Sequence, residues 1–208
     1  MQSLTQKPLV GVGAKPRGLK KRRNMTKRIA TRDIAQMALF VALMVVCSWI
    51  TIPLPWVPIT MQVFGVFLAL CTLGGQKGTI CVFLYILLGA VGVSVFSGFK
   101  AGVGVLLGTT GGYIVGFIPM AMLFWLLTSV VRTEHPAVRF GIMAVCLAVC
   151  YAFGTAWYVI AYMKGTGPIG VGTALMRCVV PFILPDVVKI LLAMRIAAVI
   201  HKMKLLSR

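Results

Sequence analysis

Long apolar runs decide what this chain can become. "RDIAQMALFVALMVVCSWITI" (32–52), "GTICVFLYILLGAVGVSVF" (78–96), "GVLLGTTGGYIVGFIPMAMLFWLLTSVV" (104–131) and "RFGIMAVCLAVCYAFGTAWYVIAY" (139–162) are each about as long as a transmembrane helix or longer. Two further spans, "ITMQVFGVFLALCTLG" (59–74) and "ILPDVVKILLAMRIAAVIHKM" (183–203), complete a set of six. The sequence therefore reads as an all-α integral membrane protein with six transmembrane helices. Composition agrees: 60% of residues are hydrophobic and 12% charged, whereas soluble domains are about half apolar and about a quarter charged.

The net charge of +18 suggests nucleic acid at first sight. Its distribution points elsewhere. Ten of the 21 lysines and arginines lie before residue 33, from Lys7 to Arg32, and the first acid is Asp33. A basic run against the first span marks a cytoplasmic tail by the positive-inside rule, and it attracts anionic lipid headgroups. Six spans then bring both termini to the cytoplasmic side, where the C-terminal end carries Lys202, Lys204 and Arg208. Residues 1–30 are expected to be a disordered basic tail and 31–208 the membrane domain. The tail has no apolar core of a secretory signal, and Met25 is an alternative start. It is a solvated orienting segment or a specific partner site; no nucleic-acid role is expected.

This topology sorts the loops. "GGQKG" (74–78) and "RTEHPAVR" (132–139) are inner, short and basic. "PLPWVP" (53–58), "SGFKAG" (97–102) and "KGTGPIGVGTALMRCVV" (164–180) are outer and hold most of the loop prolines and glycines. Irregular backbone at membrane depth survives only where protein covers it or a cavity solvates it. Part of 170–180 reads as a short helix over the outer face. Gly108, Gly112 and Gly116 form a small-residue ridge on the fourth span, and Ala38 and Ala42 a second on the first; both permit close helix approach.

Little enzymatic chemistry is on offer. Asp33, Glu134 and Asp186 are the only acids, so paired-carboxylate catalysis is hard to build. "GGQKGT" lacks Walker spacing, and "GVGVLLG" follows no strand. The six cysteines form no CxxC pair and read as apolar packing residues. No metal site or cofactor is expected.

Asp186 and Lys189 stand out. Three residues apart, they share a helix face about 4.5 Å apart along the axis. Pro185 reads as the first helical residue, with Asp186 in the first turn, where the helix dipole favours an anion. Each charge costs about 2.5–3.5 kcal/mol at the bilayer centre on insertion scales. The pair is a structural ion bridge or a ligand site beneath the outer loops. Asp186 can accept from N–H donors, and Lys189 can donate to a carboxylate or carbonyl.

"VPITMQ" (57–62), "GVLLGTTGGYIVGF" (104–117) and "LPDVVK" (184–189) together resemble the BioY biotin transporters, substrate-binding S components of energy-coupling factor (ECF) transporters. The resemblance covers about residues 30 to 203. It implies the S-component fold and high-affinity capture of biotin from outside, in a prokaryotic plasma membrane. By motif matching it implies that Asp186, Lys189, Tyr113, Gly111, Gly112, Gln62 and Thr60 form or border the biotin site. It implies that Ala38 and Ala42 dock on a T component, with two ATPase subunits supplying energy, so this chain is no enzyme itself. Thr109 departs from the family's "GPTGGY", so the local turn is expected to differ. The alternatives are an S component or facilitator for another small vitamin, and a non-transporting membrane scaffold.

Overall fold

The computed structural model describes residues 31–54, 57–131, 135–165, 167 and 170–206. The basic tail, Glu134 and Arg208 lie outside the described residues. Eight helices make up most of what is described: α1 (Thr31–Trp49), α2 (Gln62–Leu73), α3 (Gly75–Val91), α4 (Val103–Leu107), α5 (Gly111–Val130), α6 (Pro136–Gly165), α7 (Val171–Cys178) and α8 (Val180–Leu206). Two short strands, β1 (Thr51–Ile52) and β2 (Ile59–Thr60), pair antiparallel with Thr51 opposite Thr60. They replace helix that the sequence reading placed at 50–52 and 59–61.

Helix α2 is the axis of the bundle. Ten of its twelve residues are buried, from Gln62 to Thr72, as expected of a helix apolar all round and enclosed by others. It packs against α1, α3 and α8. The surrounding helices turn large apolar side chains outward: Leu39, Val91, Val130 and Leu184 are all more than two-thirds exposed. Soluble monomers rarely show so much contiguous apolar surface. By length and composition α1, α5 and residues 136–163 of α6 are sufficient to cross a membrane, while α2 and α3 are shorter apolar helices. Helix α8 is long, but it carries Asp186, Lys189 and Arg195.

The glycines explain the tightest packing. A Cβ on Gly112 would lie 2.2 Å from the Trp157 Cβ, and one on Gly116 would lie 3.3 Å from the Cys150 Sγ. These two therefore seat α5 against α6. Gly108 does not continue the ridge, because the expected fourth span breaks at Gly108–Thr110. Its carbonyl accepts the Trp157 indole N–H at 3.0 Å. Gly92 ends α3 at φ 112°, a left-handed conformation that only glycine adopts readily. The chain then folds back until Phe96 lies over Gly89, where a Cβ would collide with its ring. All six cysteines are buried and free, in keeping with packing.

Asp33, in the first turn of α1, pairs with Lys77 of α3 at 2.6 Å. Both side chains are partly exposed, so the bridge contributes at most about 1 kcal/mol. At the same end, the His201 Nε2 lies 3.2 Å from the Cys71 carbonyl oxygen and links α8 to the last turn of α2.

Replacing Gly112 by alanine is expected to cost roughly 1–3 kcal/mol, because the Trp157 Cβ is close to backbone and cannot swing away. Gly116→Ala is expected to cost less. Thermal unfolding in detergent checks the order, and equal midpoints for the two variants would contradict the packing account.

Candidate functional site

Helix α8 begins at Val180, earlier than the sequence suggests, so Pro181 takes the first turn and Pro185 lies inside the helix. The expectation that Pro185 starts the helix and Asp186 sits in its first turn is therefore corrected. An interior proline cannot donate to the carbonyl four residues back, which leaves the Pro181 carbonyl short of a partner just before the charged pair. What holds Asp186 is side-chain chemistry rather than a helix terminus.

Asp186 and Lys189 are 1% and 5% exposed. The Lys189 Nζ donates to the Asp186 Oδ1 at 2.6 Å. The Tyr151 hydroxyl, from α6, donates to the other oxygen, Oδ2, at 2.5 Å. Both carboxylate oxygens thus have a strong donor, and the two buried charges cancel locally. Charge-assisted bonds of this length are about twice as strong as neutral ones.

The trio lies in a cavity of about 80 Å³ bounded by α5, α6 and α8, with the segment 57–62 as another wall. Thr60, Gln62, Tyr113, Asp186 and Lys189, all picked out from the sequence, line it together. Gln62 is held from behind: its Nε2 donates to the Tyr85 hydroxyl at 2.5 Å, and that hydroxyl donates to the Val95 carbonyl at 2.9 Å. The Gln62 backbone N–H donates to the Thr60 Oγ1 at 3.3 Å. The Tyr113 and Thr155 hydroxyls are bonded at 2.9 Å, and Gly154 makes room for the Tyr113 ring, which a Cβ would meet at 2.2 Å.

Above the cavity, α7 forms a roof where the sequence suggests a short outer helix. Ala174 and Cys178 pack with Val57, Tyr158 and Phe182 in a small apolar cluster separate from the main core. Ser97, beyond the turn after α3, reaches the same cavity. It also bonds the Thr51 hydroxyl at 3.0 Å, so the loops at this end are tied to one another.

Gly111 and Gly112 are placed beside the cavity rather than on its wall. A Cβ on Gly111 would meet the Leu106 carbonyl oxygen at 1.9 Å. Their role is to let α4 fold back on α5 and α6 approach, which sets Tyr113 in position. Thr109 lies in the turn between α4 and α5. Ala38 and Ala42 are far from the site, exposed on α1 beside an apolar groove of about 610 Å³ shared with α3. Tyr151, Thr155, Tyr85 and Ser97 were missed. A tyrosine in an apolar span needs a partner for its hydroxyl, and on that ground Tyr85 and Tyr151 were open to detection. Among the described residues no group of three or more His, Cys, Asp or Glu side chains is placed to hold a metal.

Apolar helices around one central helix, with a roofed and charged cavity at one end, define a membrane protein with a buried polar site. The chain belongs to the BioY family, whose model matches residues 21–205. It is 40% identical over 176 residues to the biotin transporter BioY of Thermotoga maritima, spanning 83% of this chain and 98% of that one. It is 37% identical to the probable biotin transporter BioY of Pyrococcus horikoshii, over 80% of this chain and 94% of that one. These relatives are transporters, not enzymes. The fold is that of a solved S-component for biotin from an ECF-type ABC transporter: TM-score 0.71, 22% identity, 86% of this chain and 94% of that one.

Removing the Tyr151 hydroxyl leaves a buried carboxylate oxygen without its donor. Tyr151→Phe is expected to destabilise by about 1–3 kcal/mol, and Lys189→Met, which strands the charge, by about 3–5 kcal/mol. Adding Asp186→Asn to Lys189→Met is expected to restore part of the loss. Unfolding midpoints of these three variants and of Asp186→Asn alone, in one detergent, test this, and a double variant whose loss is the simple sum of its two singles would show that the pair is uncoupled.

Proposed function

We propose that this chain is the biotin-binding S component of an ECF-type transporter in the cell membrane. The observation that carries the proposal is the Asp186–Lys189–Tyr151 trio, buried in a cavity whose other polar walls are Thr60, Gln62 and Tyr113. Biotin offers ureido N–H donors, a carbonyl and a carboxylate. A carboxylate accepts the first, and an ammonium meets the others. Val57, Phe117, Leu147 and Phe182 line the same space and suit the apolar ring and chain, for which the cavity of about 80 Å³ must widen on binding. Membership of the BioY family, with relatives named as biotin transporters, supports biotin over other vitamins.

In this reading α1, α2, α3, α5, α6 and α8 are six spans and both termini are cytoplasmic. Helix α2, with twelve residues, rises about 18 Å, short of the roughly 30 Å apolar layer. Its burial by neighbours removes the need to span lipid unaided. The roof helix α7 and the loops around Thr60 and Ser97 face outward, on the capture side. Two ATPase subunits and a T component supply the energy, and the apolar groove beside Ala38 and Ala42 is the T-component docking face. The basic tail meets anionic lipid.

A second reading has one observation in its favour: Lys189 and Tyr151 already occupy both oxygens of Asp186, as in a purely structural bridge. Calorimetric titration of the purified chain with biotin, with thiamin and riboflavin as controls, separates the two. Saturable binding of biotin alone is expected, with Asp186→Asn and Lys189→Ala each weakening it by about tenfold or more. Wild-type binding by both variants would leave the structural bridge standing.

Docking is tested apart from capture. In cells that also produce an energising module, Ala38→Trp and Ala42→Trp are expected to depress biotin uptake several-fold while binding by the purified variants is unchanged. Undiminished uptake in both would rule out this face.

A further inference from the structure

Tyr85 of α3 is fully buried and stands behind the cavity without lining it. Its ring meets Phe96 edge-on, with centroids 5.9 Å apart. Packing accounts for the ring. It does not account for the hydroxyl, which sits between two polar groups from other segments, Gln62 at the start of α2 and Val95 after the end of α3. Hydrogen-bond polarity runs one way through these three residues. A carbonyl only accepts, so the tyrosine proton is committed to the Val95 oxygen at 2.9 Å. The hydroxyl oxygen is left to accept, and the group that meets it at 2.5 Å is the Gln62 amide nitrogen. The network, rather than the shape of the side chain, thereby sets which way the amide faces. The Gln62 oxygen is turned towards Thr60, itself a cavity residue, whose Oγ1 lies 3.4 Å away. That is long for a hydroxyl donor, so the oxygen keeps capacity for a better one.

We propose that Tyr85 is a positioning residue that sets ligand specificity: its hydroxyl locks the Gln62 side chain with the amide oxygen on the cavity side. The inference rests on the reading of this cavity as the biotin site. A glutamine free to turn over offers its oxygen and its N–H interchangeably, and accommodates an acceptor on the ligand as readily as a donor. Locked, it favours a donor. The wall then presents an acceptor from α2 in addition to the Asp186 carboxylate from α8. A cyclic urea brings N–H donors to such a wall, whereas a ring oxygen or a carbonyl in the same place would face the Gln62 oxygen with no proton between them. Polar walls of fixed orientation discriminate strongly, because the wrong ligand leaves a buried group unpaired. The far end of the network is also fixed: Val95 is buried, and Ser48 of α1 donates to the same carbonyl at 2.5 Å.

The purified full-length chain is titrated calorimetrically with biotin and with its two carbamate analogues, in each of which a ring oxygen replaces one ureido N–H. The wild type is expected to bind biotin, and to bind at least one analogue about tenfold more weakly or worse. Tyr85→Phe keeps the ring and its contact with Phe96. It is expected to bind biotin about fivefold more weakly and to lose most of the preference over that analogue, because the released amide turns its N–H to the ring oxygen. Gln62→Met is expected to lose the preference too. Adding Tyr85→Phe to Gln62→Met is expected to weaken biotin binding no further, which a merely structural role for the hydroxyl would not produce. Circular dichroism confirms that each variant is folded. No preference in the wild type, an undiminished one in Tyr85→Phe or in Gln62→Met, or an equal loss from Tyr85→Phe with and without Gln62 overturns the proposal and leaves the biotin site in place. No saturable binding of biotin by the wild type overturns the reading of the site, and this inference with it.

Discussion

Everything at the capped end of this bundle depends on keeping a lysine and an aspartate out of water. The effective penalty for each buried ion is several kcal/mol, and mutual attraction offsets it only when geometry is good and the remaining hydrogen-bonding sites are filled. Here the geometry is set by one helix: Asp186 and Lys189 sit at i and i+3 on α8 and meet at 2.6 Å. The remaining carboxylate oxygen is filled from another helix, by Tyr151. Tyr151 reaches it because α6 lies close to α5, and α6 lies close because Gly112 and Gly116 present no side chain there. The glycine ridge and the ion pair are thus parts of one arrangement, although some seventy residues separate them in the chain.

That dependence explains what could be read from the sequence. The helical class and the approximate positions of α1, α3 and α6 follow from the apolar runs, with ends that differ from them by one to five residues. The pair itself was visible because charge is scarce in such a chain, and so was the short helix above it. The break at Gly108–Thr110 was not, because the apolar run continues through it and the turn is stabilised from afar, by the Trp157 indole on the Gly108 carbonyl. Pro185 misled for a related reason. Proline is favoured in a first turn, and two prolines four residues apart compete for that place; Pro181 takes it, leaving Pro185 interior. Tyr85 and Ser48 converge on the Val95 carbonyl from two helices, a meeting that no local pattern announces.

The resemblance carried what the residues alone left open. Spacing and burial justify a small polar ligand or a structural bridge at Asp186 and Lys189, with nothing in them specific to biotin. Gly111 and Gly112 border the cavity through packing. Matched as bordering the site, they act one step behind it, by admitting the Leu106 carbonyl and the Trp157 side chain to contact distance.

The two ends of the bundle solve opposite electrostatic problems. At the end roofed by α7 one cation and one anion cancel in a small dry space, so a ligand entering there exchanges contacts with a neutral unit and need carry no net charge. At the other end Arg139, His201 and Lys202 line a larger opening. Helix α8 thus carries a locally neutral pair towards one end and His201 and Lys202 towards the other.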